Sequence, residues 1–227
     1  MIKHIPNFLT LCNLACGCYG AVAVFKGDLQ TGSIMIWAGA LFDFFDGFAA
    51  RVLKNFSSIG KDLDSLADLI TFCFLPASIL FVLIDQNSTI NWLPYVGYLL
   101  VLFGALRLAK FNSDTRQSEN FYGLPVPASG IFISAFPFIS TIENAGFNNA
   151  LTDYRTLVGI SILLSILMVS NIKLMSFKFK DISFKTNWPR FLLLLISLFL
   201  IIVFKIVALP FIIIIYVVLS IALNIAE

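Results

Sequence analysis

Runs of about twenty apolar residues recur along nearly the whole of this 227-residue chain, and they leave it few ways to fold. A run of that length spans a ~30 Å hydrocarbon core as a helix, and a helix satisfies its own backbone hydrogen bonds where no water is present. The composition agrees: 59% of residues are hydrophobic and only 12% charged, which excludes an ordinary soluble domain. The runs fall near 6–25, 31–50, 65–84, 92–110, 127–144, 154–171, 190–205 and 208–225. Residues 191–225 as one helix would measure roughly 50 Å, too long for a single crossing. Lys205 and Pro210 interrupt that stretch, so it reads as a tight hairpin of two short spans. The chain is therefore expected to form an all-α integral membrane bundle of about eight transmembrane helices, or six if the hairpin only lies along the membrane.

Basic residues set the orientation. With both termini inside, Lys3, Arg51, Lys54, Lys61, Arg107, Lys110, Arg116, Lys173, Lys178, Lys180, Lys185 and Arg190 fall on the cytoplasmic side. Only Lys26, Arg155 and Lys205 fall opposite, a bias that matches the positive-inside rule. The first apolar run has no A-x-A exit and is followed by further spans, so no cleavable leader is read there. The localisation expected is a bacterial-type inner (cell) membrane. The segment with Phe177, Phe179 and Phe184 among Lys178, Lys180 and Lys185 suits either an interfacial, headgroup-attracting loop or an ordinary positive-inside loop. No soluble domain, repeat or low-complexity linker interrupts the chain, and no nucleic-acid partner is expected. Cys12, Cys16, Cys18 and Cys73 have no histidine near them and read as small buried apolar side chains rather than a zinc site. The lone histidine, His4, reads as an interface anchor.

Against this greasy background one window is densely specified. It reads D-x-x-D-G-x-x-A-R over Asp43–Arg51, then eight residues, then G-x-x-x-D-x-x-x-D over Gly60–Asp68. At 100° per residue, Asp43, Asp46, Gly47 and Ala50 lie within about 60° of one line on a helix. Asp64 and Asp68 share a face in the same way, and Asp62 points off it. Four carboxylates aimed from two helices at one point repel unless something positive lies between them. Two divalent cations with oxygen ligands, Mg²⁺ or Mn²⁺, are the natural filler. Gly47 and Ala50 leave room for a bulky ligand beside the acids. A membrane transporter of metal ions is the alternative from another class, but it calls for acids near the midplane and an internal repeat, and neither is visible.

This window resembles, position for position, the signature of the CDP-alcohol phosphatidyltransferases, membrane enzymes of phospholipid synthesis. The likeness extends over roughly residues 5–170. It implies a six-helix core at 1–171, with 172–227 supplying a basic loop and the C-terminal hairpin, in a single domain overall. It implies that Asp43, Asp46 and Asp64 hold one metal, that Asp43, Asp64 and Asp68 hold the second, and that Asp68 also accepts the proton of the acceptor hydroxyl. Gly47 and Ala50 resemble the floor of the nucleotide pocket, Gly60 keeps the loop clear, and Arg51 supports acids or phosphates. The opening Pro6-Asn7-Phe8-Leu9-Thr10 resembles the family's P-N-x-x-T, which places Asn7 and Thr10 beside the CDP-lipid phosphates. The likeness also allows a homodimer.

Three stretches resemble the serine-using members of the family: Asp64-Ser65-Leu66-Ala67-Asp68, Arg107-Leu108-Ala109-Lys110-Phe111-Asn112, and Phe121-Tyr122-Gly123-Leu124-Pro125-Val126-Pro127-Ala128. Lys110 departs from the arginine of that pattern, keeping the charge and losing the bidentate fork. Serine is a zwitterion whose carboxylate needs a cation, and Arg107 is the best-placed donor, with Lys110 and Asn112 beside it. The substrates implied are CDP-diacylglycerol and L-serine, among membrane lipids. Glycerol 3-phosphate or inositol phosphate is the alternative acceptor, and either calls for a denser basic cluster than Arg107, Lys110 and Arg116.

Overall fold

The computed structural model describes residues 4–54, 57–113, 121–139, 150–175 and 184–226. Helix α1 (Ile5–Phe25) starts with Pro6 in its first turn, where a missing N–H costs nothing. Asp28 caps α2 (Leu29–Val52) by accepting from the Thr31 amide at 2.9 Å. Ser57 caps α3 (Ser58–Asp68) by accepting from the Gly60 amide at 3.0 Å. From Asp68 the chain continues without a break through a π-helical turn, Leu69–Phe74, into α4 (Leu75–Asn87). A 3-10 turn, Leu93–Tyr98, leads into α5 (Leu99–Ser113).

Strand β1 (Phe121–Tyr122) pairs antiparallel with β2 (Lys173–Leu174), Phe121 opposite Leu174. Between them lie α6 (Val126–Ser134), α7 (Phe136–Ile139) and α8 (Tyr154–Val169). Helices α9 (Phe184–Phe204) and α10 (Ala208–Ala226) close the chain. Apart from the two-residue ladder, the result is the all-α membrane bundle expected from the apolar runs. Among the described residues, five helical stretches are long and apolar enough to cross a membrane, and Val126–Ile139 and Tyr154–Val169 are shorter apolar helices. The last stretch breaks at Lys205, whose φ of +52° turns the chain before a 3-10 turn, Lys205–Val207, so α9 and α10 lie against each other as a hairpin.

The buried axis is the Ser58–Asn87 rod. Phe72, Leu75, Ile79, Leu80 and Ile84 are all sealed from solvent, and α1, α2, α5, α6 and α8 surround them. The third span was expected over 65–84, and the helix begins seven residues earlier because Ser57 caps it and the acids are inside it. The hairpin is latched at its open end by a polar stripe on α10. Tyr216 Oη donates to the Met175 carbonyl at 2.9 Å, Ser220 Oγ accepts from the Met175 amide at 3.1 Å, and Asn224 Nδ2 donates to the Lys173 carbonyl. Of the four cysteines expected to be buried only Cys73 is; Cys12 and Cys16 are half-buried and Cys18 is exposed. Arg116, Lys178 and Lys180 lie outside the described residues.

Helix α1 meets the rod where the site is built. Thr71 Oγ1 donates to the Asn13 carbonyl at 2.9 Å, an approach that Gly17 permits. A Cβ on Gly17 would come within 2.5 Å of Thr71 Oγ1 and 2.9 Å of Thr71 Cα, and backbone cannot step aside cheaply. Gly17→Ala is thus expected to cost roughly 1–3 kcal/mol through overpacking. A lowered unfolding midpoint of the purified protein in detergent checks it; an unchanged midpoint contradicts this close approach.

Candidate active site

Three helices bring the acids together. Asp43 and Asp46 stand about two and a half and under two turns before the end of α2, and Asp64 and Asp68 lie in the second half of α3. Carboxylate oxygens of Asp43, Asp64 and Asp68 all lie within 4.8 Å of one another. Asp46 is buried beside them and accepts from Thr10 Oγ1 at 2.6 Å, while the same hydroxyl has the Pro6 carbonyl at 3.0 Å. Asp68 is buried too, and its Oδ1 accepts from Asn13 Nδ2 at 3.4 Å. Asp62 is exposed, as the helical-face argument requires.

The donor set suits a hard divalent cation: three carboxylates from two helices converge with oxygen as the only ligand atom. Bare, such a set is self-repelling; around a cation it is an ordinary oxygen cage. The cluster can hold a metal ion.

Beside the acids opens a cleft of about 470 Å³ lined by Pro6, Asn7, Thr10, Asp46, Gly47, Ala50, Ser57, Ser58, Gly60, Lys61 and Asp64. Asn7, Thr10, Gly47, Ala50 and Gly60 are thus brought to one wall-and-floor arrangement. A Cβ on Gly60 would meet Ser57 Oγ at 3.0 Å and Asn7 Oδ1 at 3.2 Å, so only glycine leaves that corner open without displacing them. Arg51 is exposed at the edge of α2 and donates from Nε to the Gly47 carbonyl at 2.9 Å. An apolar cavity of about 410 Å³ between α6, α8 and α10, lined by residues such as Leu124, Phe136 and Val217, has no polar group to do chemistry with.

Arg107 from α5 lies close enough to Asp68 for the two charges to interact. It is 92% buried, by its 8% residual exposure, and its Nε has no hydrogen-bond partner among the described residues. Its guanidinium carbon lies 5.8 Å from the centre of the Phe111 ring, and its charge is felt at Asp68, Cys73 and Tyr216. Lys110 and Asn112 are turned elsewhere. Lys110 Nζ donates to Asn171 Oδ1 at 3.2 Å, and Asn112 Nδ2 donates to Ser65 Oγ at 2.8 Å. Lys61 Nζ reaches the Asn112 carbonyl at 2.8 Å, so the end of α5 is tied to α3 beside the acids.

Two contributors escaped the sequence reading. Asn13 and Thr71 carry no motif, yet they link α1 to Asp68 and to the π turn. The available signal was the α1 stripe of Pro6, Thr10, Asn13, Gly17 and Gly20, small or polar residues three and four apart in an apolar helix.

The comparisons agree with this geometry. The family model described as CDP-alcohol phosphatidyltransferase matches residues 3–222. The chain is 33% identical over 181 residues to the CDP-diacylglycerol--serine O-phosphatidyltransferase of Bacillus subtilis strain 168, covering 78% of this chain and 93% of that protein. It is 33% identical over 171 residues to the archaetidylserine synthase of Methanothermobacter thermautotrophicus, covering 74% of this chain and 68% of that protein. It is 30% identical over 201 residues to the CDP-diacylglycerol--serine O-phosphatidyltransferase of Helicobacter pylori strain J99, covering 88% and 81% respectively. With the match running through both the acidic helices and the C-terminal hairpin, the chain belongs to the CDP-alcohol phosphatidyltransferase family.

Proposed function

We propose that this protein transfers the phosphatidyl group of CDP-diacylglycerol to the hydroxyl of L-serine, forming phosphatidylserine and releasing CMP. The observation that carries the acceptor is Arg107, a buried cation with an unpartnered Nε beside Asp68, in a chain whose relatives include serine phosphatidyltransferases. A carboxylate-bearing acceptor would satisfy that donor.

In this reading Asp43, Asp46 and Asp64 hold one divalent ion, Mg²⁺ or Mn²⁺, and Asp43, Asp64 and Asp68 hold a second. Bound there, such ions neutralise the pyrophosphate and polarise the phosphorus under attack. The nucleotide end of the lipid occupies the cleft floored by Gly47 and Ala50, with Asn7, Thr10 and Arg51 at its phosphates and Gly60 keeping the entrance open. Asp68 takes the serine hydroxyl proton. The serine oxygen then bonds to the phosphorus of the phosphatidyl group as the bond to the CMP oxygen breaks. Arg107 clamps the serine carboxylate. Lys110 and Asn112, bonded to Asn171 and Ser65, act on the acceptor side from a distance, one adding positive charge at the end of α5 and the other bracing Ser65 next to Asp64.

The chemistry resides in 1–171, which holds every acid of the cluster, and the hairpin in 172–227 encloses it. The active face is cytoplasmic, in a bacterial-type inner membrane, which the distribution of basic residues supports.

Removal of one ligand charge tests the metal reading. Each of Asp43→Asn, Asp46→Asn and Asp64→Asn is expected to abolish CMP release, and EDTA to do so reversibly. The native protein should gain thermal stability on addition of Mg²⁺ or Mn²⁺ by mass action, and Asp43→Asn should lose that gain. Undiminished turnover in chelator contradicts the two-ion reading.

The acceptor is tested with purified enzyme and CDP-diacylglycerol by following CMP release against a panel of alcohols. L-serine is expected to be used, and ethanolamine, which lacks the carboxylate, to be poor. Arg107→Ala should reduce kcat/KM for serine roughly 10- to 100-fold, the range for a charge-assisted bond of about 1.5–3 kcal/mol, with CDP-lipid binding near normal. CMP release with glycerol 3-phosphate or inositol phosphate and none with serine overturns the named product while leaving the fold and the acids as they are.

A further inference from the structure

Asn13 lies in the middle of the apolar helix α1, fully sealed from solvent. Its side chain donates from Nδ2 to Asp68 Oδ1 at 3.4 Å, and its own carbonyl accepts from Thr71 Oγ1, so it touches the rod just before the π turn and within it. The other end of the amide is unusual. Oδ1 is buried with no hydrogen-bond partner among the described residues, and it faces α2 at Gly39, where an added Cβ would come within 2.8 Å of it and 2.4 Å of Thr71 Cγ2. An orphaned buried carbonyl is a standing cost that an apolar side chain of similar shape would remove. The amide therefore earns its place through the donor end.

We propose that Asn13 is a positioning residue for Asp68, which the reading above makes the base for the acceptor hydroxyl and on which this inference rests. A carboxylate on a short side chain swivels about its last bond between broad minima. Asn13 fixes that swivel by engaging one oxygen, so the other is left for the acids' shared centre and the incoming hydroxyl. Asn13 is itself immobilised: its backbone is tied to Thr71 and its Oδ1 is seated where α2 has no side chain. Gly39 precedes Asp43 by one turn on the same face of α2, so the two acid-bearing helices are indexed to α1 and to one another through this amide. The contact is long for a hydrogen bond, in keeping with catalytic contacts that tighten only when substrate is bound.

The test uses full-length purified enzyme with CDP-diacylglycerol and L-serine. Asn13→Ala removes the donor; Asn13→Leu removes it while keeping about the same size, should the smaller side chain prove unstable. Each is expected to lower kcat roughly 10- to 100-fold, with the KM values for both substrates held within about twofold. In a double-mutant cycle, adding Asn13→Ala to Asp68→Asn should cause no further loss, because the group being positioned is already gone. A purely structural role predicts additive losses instead, with both KM values moving. Wild-type kcat in a folded Asn13 variant, or additivity in the cycle read on the residual turnover of Asp68→Asn, overturns the proposal while the loss in Asp68→Asn itself stands. Full activity in Asp68→Asn alone overturns the base assignment and this inference with it.

Discussion

Mutual repulsion among carboxylates is the constraint around which the bundle is arranged. Charges 4 to 5 Å apart interact with about 3–4 kcal/mol at an effective dielectric near 20, and Asp43, Asp64 and Asp68 lie within 4.8 Å of one another with Asp46 adjacent. Helices left to themselves would rotate to relieve this. What prevents it is α1, pressed along α2 and against the rod through small and polar contacts: Thr10 on Asp46, Asn13 on Asp68 and Thr71 on the Asn13 carbonyl. In lipid, where apolar contact gives no net drive for helix association, such close small-residue and hydrogen-bonded contacts are what bring helices together. The first span is thus a clamp that holds the acids in a repelling geometry, which a cation then relieves.

The acceptor side follows from the same frame. Arg107 is buried on α5, and Tyr216 of the C-terminal hairpin lies within reach of its charge. The hairpin stays closed because Tyr216, Ser220 and Asn224, four residues apart, fasten α10 to the backbone at Lys173 and Met175. That backbone pairs in turn with Phe121 and Tyr122. A desolvated guanidinium discriminates strongly, since an acceptor without an anion leaves the donor unpaired in a place where water does not compensate.

Much of this was legible in the sequence because it depends on counting. Span number and the break at Lys205 follow from run length, and the convergence of Asp43, Asp64 and Asp68, with Asp62 outside, follows from 100° steps. The rod is where counting fails. The π turn at Leu69–Phe74 inserts a register change that no apolar pattern signals, and it sets how Thr71, Phe72 and Cys73 face their neighbours relative to Asp68. Lys110 shows a second limit. It lies three residues from Arg107, on a nearby face, but its long arm carries the ammonium to Asn171, and spacing says nothing of where a flexible side chain ends. Asn13 shows a third: a single amide in an apolar run has no motif, and only its partners give it meaning. The transporter alternative lost its footing for a simpler reason, since the family match extends over both acid-bearing helices.

Depth in the bilayer explains why so many charged groups coexist in a chain this apolar. Measured from the helix ends nearest the cleft, Thr10 is five residues in along α1, Asp46 six along α2, Arg107 six along α5, and Asp68 ten along the α3 rod. At 1.5 Å per residue these lie about 8 to 15 Å from those ends. The acids thus lie within about three turns of the helix ends rather than at mid-helix, on the side where the cleft opens to admit a divalent cation and the diphosphate of a lipid nucleotide. A lipid substrate needs little vertical movement to present its phosphorus there, and a water-soluble alcohol needs only to enter from the open end. Asp68 and Arg107, both buried, carry opposite charges, and the carboxylate of Asp68 offsets part of the cost of burying the guanidinium.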